Sequence, residues 1–182
     1  MGALRWLPLL CVFCTQTAGA EVTNLQVESK GKRYDIRFDV LTTAPPERVL
    51  HLFSDPTRWT ELSKVVKRSE RLNTSAGHKA PVSIVFQTCV LFLCREANKV
   101  SIFYVNAATG TVSGRSIPGR GNFRYAWERW QITPHASGAR IHFTGIFEPT
   151  FAVPPLIGTH AFKSVLRKML IEMETNLENL SD

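Results

Sequence analysis

Apolar and polar residues alternate with period two in "RYDIRFDVLT" (33–42), the signature of a strand with one buried face. The next stretch, "TAPPERVLHLFSDPTRWTELS" (43–63), changes period. It offers a cap-like Thr43, prolines suited to a helix start, and short helices around Val49–Phe53 and Thr57–Leu62 broken at Asp55-Pro56. Strand signals then follow closely. "KVVKRSERLN" (64–73) is mostly polar and reads as an exposed strand, whereas "APVSIVFQ" (80–87) and "KVSIFYVNA" (99–107) are β-branched and aromatic. "GTVSGRSI" (110–117), "NFRYAWERWQIT" (122–133) and "ARIHFTGIFEPTF" (139–151) complete the set, with Thr109-Gly110, Pro118-Gly119 and Ser137-Gly138 as hairpin turns. Connections this short exclude parallel crossovers, so the strands run antiparallel.

From Leu156 to Leu180 the period becomes helical. Leu156, Ile157, Ala161, Phe162, Val165, Leu166, Met169, Leu170, Met173, Leu177 and Leu180 form one stripe, and Lys163, Arg167, Lys168, Glu172, Glu174 and Glu178 fill the other side. A helix of about 25 residues is almost 40 Å long. Its single apolar stripe must be buried, and the sheet is the available partner. The Pro154-Pro155 pair in "FEPTFAVPPLIG" (147–158) is a hinge that feeds this helix across the sheet.

The first twenty residues stand apart. Arg5 is a minimal basic region, Leu7–Phe13 an apolar one, and Ala18-Gly19-Ala20 supplies small residues for cleavage. This predicts a secretory signal peptide over 1–20, cleaved after Ala20, a single domain over 21–182, and a secreted or periplasmic location. No later apolar run approaches the roughly 20 residues of a membrane helix. The formal net charge of +7 is spread along the chain without a nucleic-acid motif, so no nucleic-acid partner is expected. Transient contact with an anionic membrane surface fits the basic balance, although a solvated basic face explains it equally well. Two cysteines lie beyond the cleavage point, Cys89 and Cys94. An even pair in an oxidising compartment suggests a disulfide. In one continuous strand the two would lie about 16 Å apart on opposite faces, so a bridge requires the chain to bend between them. Two free buried thiols are the alternative. Cys-x4-Cys without nearby histidines is a poor zinc site, and no metal is expected.

The order of strand, short helices, antiparallel strands and long helix resembles the START-like superfamily of polyketide cyclases and lipid-transport proteins. Within it, the chain is similar to the coenzyme Q-binding type. The resemblance covers about residues 33–180 and is carried by "APPERVLHLFSDPTRWTEL", "WQITPHASGARIHF" and "EPTFAVPPLIG". It implies an α+β helix-grip fold: a curved seven-stranded antiparallel sheet wrapped around a long C-terminal helix, with two short helices after strand one.

A sheet bent around one helix encloses more volume than one stripe of side chains fills, which leaves an apolar recess fit for a small hydrophobic molecule. Candidate lining residues are Trp59 at the mouth, then Phe86, Phe103, Phe123, Tyr125, Trp127, Phe143 and Phe147 on strands, and His160, Phe162 and Leu166 on the last helix. Parity puts Ile141, Phe143, Gly145 and Phe147 on one face. In "NFRYAWERWQIT", Phe123, Tyr125 and Trp127 share a face but Trp130 and Ile132 fall out of phase, which predicts a bulge near Glu128-Arg129. No Gly-x-Ser-x-Gly elbow, His-Glu-x-x-His motif or phosphate-binding loop is present, and the histidines are dispersed, so no catalytic residue and no cofactor are assigned. The expected function is noncatalytic binding or transport, by a monomer, of a quinone, isoprenoid, sterol or other lipid. A polyketide cyclase or dehydratase using the same space is the alternative. Convergent buried polar groups would favour the enzyme, and a wholly apolar pocket the carrier.

Overall fold

The computed structural model describes residues 21–73, 79–90, 93–151 and 158–180. The expected signal peptide and the Pro154-Pro155 hinge lie outside these residues. Eight strands form one antiparallel sheet in the order β1-β2-β8-β7-β6-β5-β4-β3. They are β1 (Glu21–Lys30), β2 (Arg33–Thr42), β3 (Val66–Arg71), β4 (Val82–Val90), β5 (Leu93–Asn106), β6 (Thr111–Gly121), β7 (Phe123–His135) and β8 (Gly138–Pro149). Three helices accompany them: α1 (Pro46–Ser54), the single turn α2 (Trp59–Leu62), and α3 (Gly158–Asn179).

The expected seven strands become eight because residues 21–30 pair with β2. Gly31, at φ 63°, turns the chain between them. The polar, exposed β3 forms the opposite edge, where charged side chains discourage pairing with another chain. Pro118-Gly119 is not the β6–β7 turn; β6 continues to Gly121, which lies so close to Asn98 that a side chain there would meet its carbonyl oxygen.

Alternation decides which face each strand buries. Ile36, Phe38 and Val40 on β2 meet Ile141 and Phe143 on β8 across the concave side, and all are buried. On α1, Val49, Leu52 and Phe53 occupy one helical face and close one end of that side. A 3-10 turn (Pro56–Arg58) links α1 to α2, capped by Asp55, which also pairs with Arg71 at 2.9 Å. Phe38, Phe53, Trp59, Trp130 and Phe143 make the aromatic heart of this end. Their ring centroids are separated by as little as 4.3 Å, between Trp130 and Phe143.

Helix α3 is fastened mainly through its C-terminal half. Leu170, Met173 and Leu177 are buried there. Thr43 Oγ1 donates to Glu178 at 2.7 Å, Ser63 Oγ to Glu172 at 2.8 Å, and Asn176 Nδ2 to the Leu62 carbonyl at 3.0 Å. Toward the N-terminus the same stripe, Val165, Leu166 and Met169, is only half-buried.

Candidate functional site

The sheet is filled unevenly under the helix. Around Trp59, Trp130 and Phe143 it is solid. Away from α1, the inward rings of Phe86, Phe123 and Phe147 keep part of their surface exposed, as do Leu166 and Met169 above. Phe123 lies edge-on to Phe147 at 6.1 Å and to Phe151 at 6.5 Å.

A buried ion pair marks the boundary between the two regions. Lys99 on β5 and Glu128 on β7 face inward, and Lys99 Nζ donates to Glu128 Oε1. Their side chains are 1 % and 5 % exposed. The ammonium is wrapped by the rings of Phe86, Phe103, Trp59 and Phe147 at 5.4, 5.5, 5.6 and 5.9 Å from their centroids. Aromatic faces supply negative potential to a desolvated cation, which lowers the cost of taking Lys99 out of water.

Strand register explains how the pair fits. Phe103, Gly114, Glu128, Gly145 and Ile36 form one row across the concave face. Glu128 therefore has a glycine on each neighbouring strand. A Cβ at Gly114 would come within 2.6 Å of the Phe103 ring and 2.8 Å of Glu128 Oε1, and one at Gly145 within 2.6 Å of both Phe143 and Phe147. The missing side chains make space for the carboxylate and the surrounding rings. Lys99 sits further along β5, so its stem crosses the row of Ser101 to reach Glu128.

Three more polar atoms lie in this neighbourhood. Trp59 Nε1, Ser101 Oγ and Trp130 Nε1 are buried without a hydrogen-bond partner among the described residues. Trp130 is two residues from Glu128 on the same face, and Trp59 packs on both Trp130 (5.9 Å) and Phe103 (5.2 Å).

The expected lining residues divide accordingly. Phe86, Phe103, Phe123, Phe147 and Leu166 are half-buried on inward surfaces, whereas Trp59 and Phe143 are buried in the filled end. Tyr125 and Trp127 lie on the convex face, contrary to expectation. Tyr125 sits beneath the Arg115 guanidinium at 5.8 Å, and Trp127 pairs with Arg115 and Ile146. The bulge expected at Glu128-Arg129 is absent, because the irregularity falls between Phe123 and Tyr125 and the alternation beyond it is unbroken. The parity that buries Trp130 and Ile132 prevails, since it completes the aromatic cluster and Lys99 neutralises the Glu128 buried with it. His160 and Phe162 fall within α3, and their side chains are outside the described set. Cys89 and Cys94 face each other across the β4–β5 hairpin and are disulfide-bonded, with Cα atoms 4.0 Å apart. The antiparallel pairing of β4 with β5, which sets Cys89 opposite Cys94, meets the backbone requirement of a bridge.

Lys99, Ser101 and Glu128 were not singled out by the sequence. Their signal was parity: Lys99, Ser101 and Phe103 alternate on one face, and Glu128 shares its face with Ala126 and Trp130. Two further features border the site. A cleft of about 310 Å³ opens beside Phe103 between α1, the 3-10 turn and β3–β5, with Arg71 and Lys79 on its rim. Contrary to expectation, Glu174 on α3 is not on the polar side but buried, 2 % exposed, while Leu180, expected in the apolar stripe, is exposed just past the end of the helix. Burial first, then the charge and hydrogen bond of Glu178, push the Glu174 carboxyl up to about 7.

The family model described as polyketide cyclase / dehydrase and lipid transport matches residues 33–182. The chain belongs to this family. Its fold is shared with a STAR-related lipid transfer protein from Xanthomonas axonopodis, at 14 % identity over 88 % of this chain and 94 % of that one, TM-score 0.63. The lipid transfer and protein localization domain of human StarD13 is similar at 13 % identity, covering 90 % of this chain and 87 % of that one, TM-score 0.62. The Zhui aromatase/cyclase from Streptomyces aligns at 12 % identity over 82 % of this chain and 93 % of that one, TM-score 0.61. At these identities the likeness establishes the helix-grip fold alone. No curated protein matches the chain. Among the described residues, no helix is long and apolar enough to cross a membrane, and no group of three or more His, Cys, Asp or Glu is placed to hold a metal ion.

Proposed function

We infer that this family member is an exported, noncatalytic binder of a hydrophobic small molecule, a quinone, isoprenoid, sterol or other lipid, held between the sheet and α3. The observation that carries this reading is the set of inward apolar side chains left half-buried: Phe86, Phe123 and Phe147 below, Leu166 and Met169 above. Each fully buried side chain of this kind contributes about 1.5–3 kcal/mol, so leaving several half-covered forgoes stability that a bound apolar molecule would restore. Export is supported by the leader-like residues 1–20 and by the Cys89–Cys94 bridge, which needs an oxidising compartment to persist.

The test is a titration of the delipidated domain with the neutral dye N-phenylnaphthylamine, followed by displacement with a short-chain quinone, a sterol and a fatty acid. Saturable dye uptake that one of these reverses at low micromolar concentration supports the reading. Absence of uptake refutes it.

The buried Lys99–Glu128 pair favours a second reading, a cyclase or dehydratase in which the two act as acid and base toward a polyketide-like substrate. Mass analysis of a poly-β-ketone mimic incubated with the wild type and with Glu128→Gln separates the two. Turnover by the wild type alone selects the enzyme, and no turnover by either selects the carrier.

A further inference from the structure

We propose that the cleft between the 3-10 turn and β3–β5 is a binding site in its own right, for a small organic monoanion with an apolar ring or short acyl body. It is separate from the space between the sheet and α3, and it stands whether or not a lipid binds there.

Strand register builds the walls. Arg71 on β3 pairs with Val82 on β4, and Val82 with Ser101 on β5, so the three share the concave face. Phe103 and Val105 follow Ser101 on that face at every second position. Pro56, in the 3-10 turn, closes over them, and about 310 Å³ stays open between these side chains. Small-molecule sites run from about 300 to 1,000 Å³, so the cleft admits one fused ring pair or a short chain and is too small for a whole lipid. Val105 is 44 % exposed and Phe103 half-buried. An apolar body laid on them takes that surface out of water.

Charge selects the sign of the occupant. Arg71 Nη2 donates to Asp55 Oδ1 at 2.9 Å, which fixes the guanidinium at the cleft wall. That is its single hydrogen bond among the described residues, and a guanidinium has five N–H donors, so it retains donors for a second acceptor. Lys79 lines the same cleft, with its Nζ 4.4 Å from the centroid of the Tyr104 ring, and it pairs with no carboxylate among the described residues. Asp55 offsets Arg71, the neighbouring Arg58–Glu61 and Arg68–Glu70 pairs offset themselves, and Lys79 leaves the mouth with one net positive charge. A single carboxylate or phosphodiester balances that charge; a cation is repelled.

Phe103 partitions the cleft from the interior. Its ring lines the cleft and also lies 5.5 Å from Lys99 Nζ and 5.2 Å from the Trp59 ring. An occupant therefore rests against Phe103 without reaching the buried ion pair, which is already neutral and needs no counter-charge. A flat anionic lipid surface fits less well than a small molecule. It would meet Lys79 at the rim but could not enter between the sheet and the 3-10 turn, and so would leave Val82 and Phe103 uncovered.

The experiment titrates the nitrogen-15-labelled protein at neutral pH with three probes. They are 2-naphthoate, 2-naphthalenemethanol, which keeps the ring without the charge, and acetate, which keeps the charge without the ring. Naphthoate should shift the amide signals of Val82, Phe103 and Val105 saturably and bind about five-fold more tightly than the alcohol, the gain that two exposed ion pairs supply. Acetate should bind more weakly than naphthoate, and added salt should erode the naphthoate advantage. Lys79→Gln should lower naphthoate affinity about two- to three-fold and leave the alcohol unchanged. Its melting temperature should match the wild type, because Lys79 is exposed, so the test holds even if Arg71→Gln loosens the 3-10 turn. Equal affinity for acid and alcohol, or naphthoate binding untouched by Lys79→Gln, overturns the proposal. Shifts confined to Phe123, Phe147 and α3 also overturn it, and they place the ring in the space under the helix instead. Binding to phosphatidylglycerol vesicles without any response to naphthoate overturns it too, and makes the rim a membrane contact.

Discussion

Removing either partner of the Lys99–Glu128 pair should be far more damaging than removing both. Lys99→Met leaves the Glu128 carboxylate on a side chain only 5 % exposed, facing aromatic rings with no counter-charge. Breaking a buried pair from one side costs about 3–5 kcal/mol. Glu128→Leu leaves the ammonium, which retains the faces of Phe86, Phe103, Trp59 and Phe147 within 5.9 Å. A desolvated cation–π contact is worth about 2 kcal/mol, so the Glu128 variant should fall at the lower end of that range. The double variant Lys99→Met/Glu128→Leu replaces charge with apolar volume and should return to within about 1 kcal/mol of the wild type, or exceed it. Urea unfolding followed by far-ultraviolet circular dichroism measures this. With a slope of about 2 kcal/mol per molar, the single variants should lose about 1.5–2.5 M in midpoint while the double loses almost none. If both single variants cost under about 1 kcal/mol and their effects add, the pair is hydrated and the description of a dry ion pair is wrong.

Gly114→Ala should cost about 1–3 kcal/mol, because the new methyl meets the Phe103 ring at 2.6 Å; a melting curve matching the wild type would contradict the packing described. Raising the pH should destabilise the fold through Glu174. Its carboxyl is raised from the ordinary 4.5 to about 7, so its stabilising neutral form is fully present below pH 4.5 and is lost as pH rises through about 7, for at most about 3 kcal/mol. Glu174→Gln should flatten that slope in denaturation measured between those pH values, and an unchanged slope would assign it to another group. Reducing the Cys89–Cys94 bridge should cost about 2 kcal/mol, the entropy of so short a loop, read as a fall in melting temperature with reductant that Cys89→Ser/Cys94→Ser reproduces.

Much of this architecture was legible in the residues. Period-two runs and glycine turns marked β2 and β4–β8, and the long stripe in 156–180 marked α3. Strand β1 escaped because "EVTNLQVESK" is largely polar and gains its pairing only at the sheet edge. The concave set on β8 followed from alternation alone. On β7 the parity was ambiguous, because both faces carry aromatics and one also carries Glu128. Local hydrophobicity favoured Tyr125 and Trp127, but the fold favoured Trp130, which gains Phe38, Phe53, Trp59 and Phe143 as neighbours. The Lys99–Glu128 pair was hidden for the same reason. A lysine and a glutamate that are 29 residues apart announce nothing until two strands carry them to one another.

Native mass spectrometry of the protein isolated from its own host compartment, without delipidation, tests the central claim most directly. The expected spectrum shows the chain beginning at Glu21, lighter by the two hydrogens of one disulfide, with a noncovalent hydrophobic molecule that leaves on collisional activation. A bare chain in every preparation, with no adduct even after incubation with host lipid extract, would contradict the claim that the sheet and α3 close over a ligand.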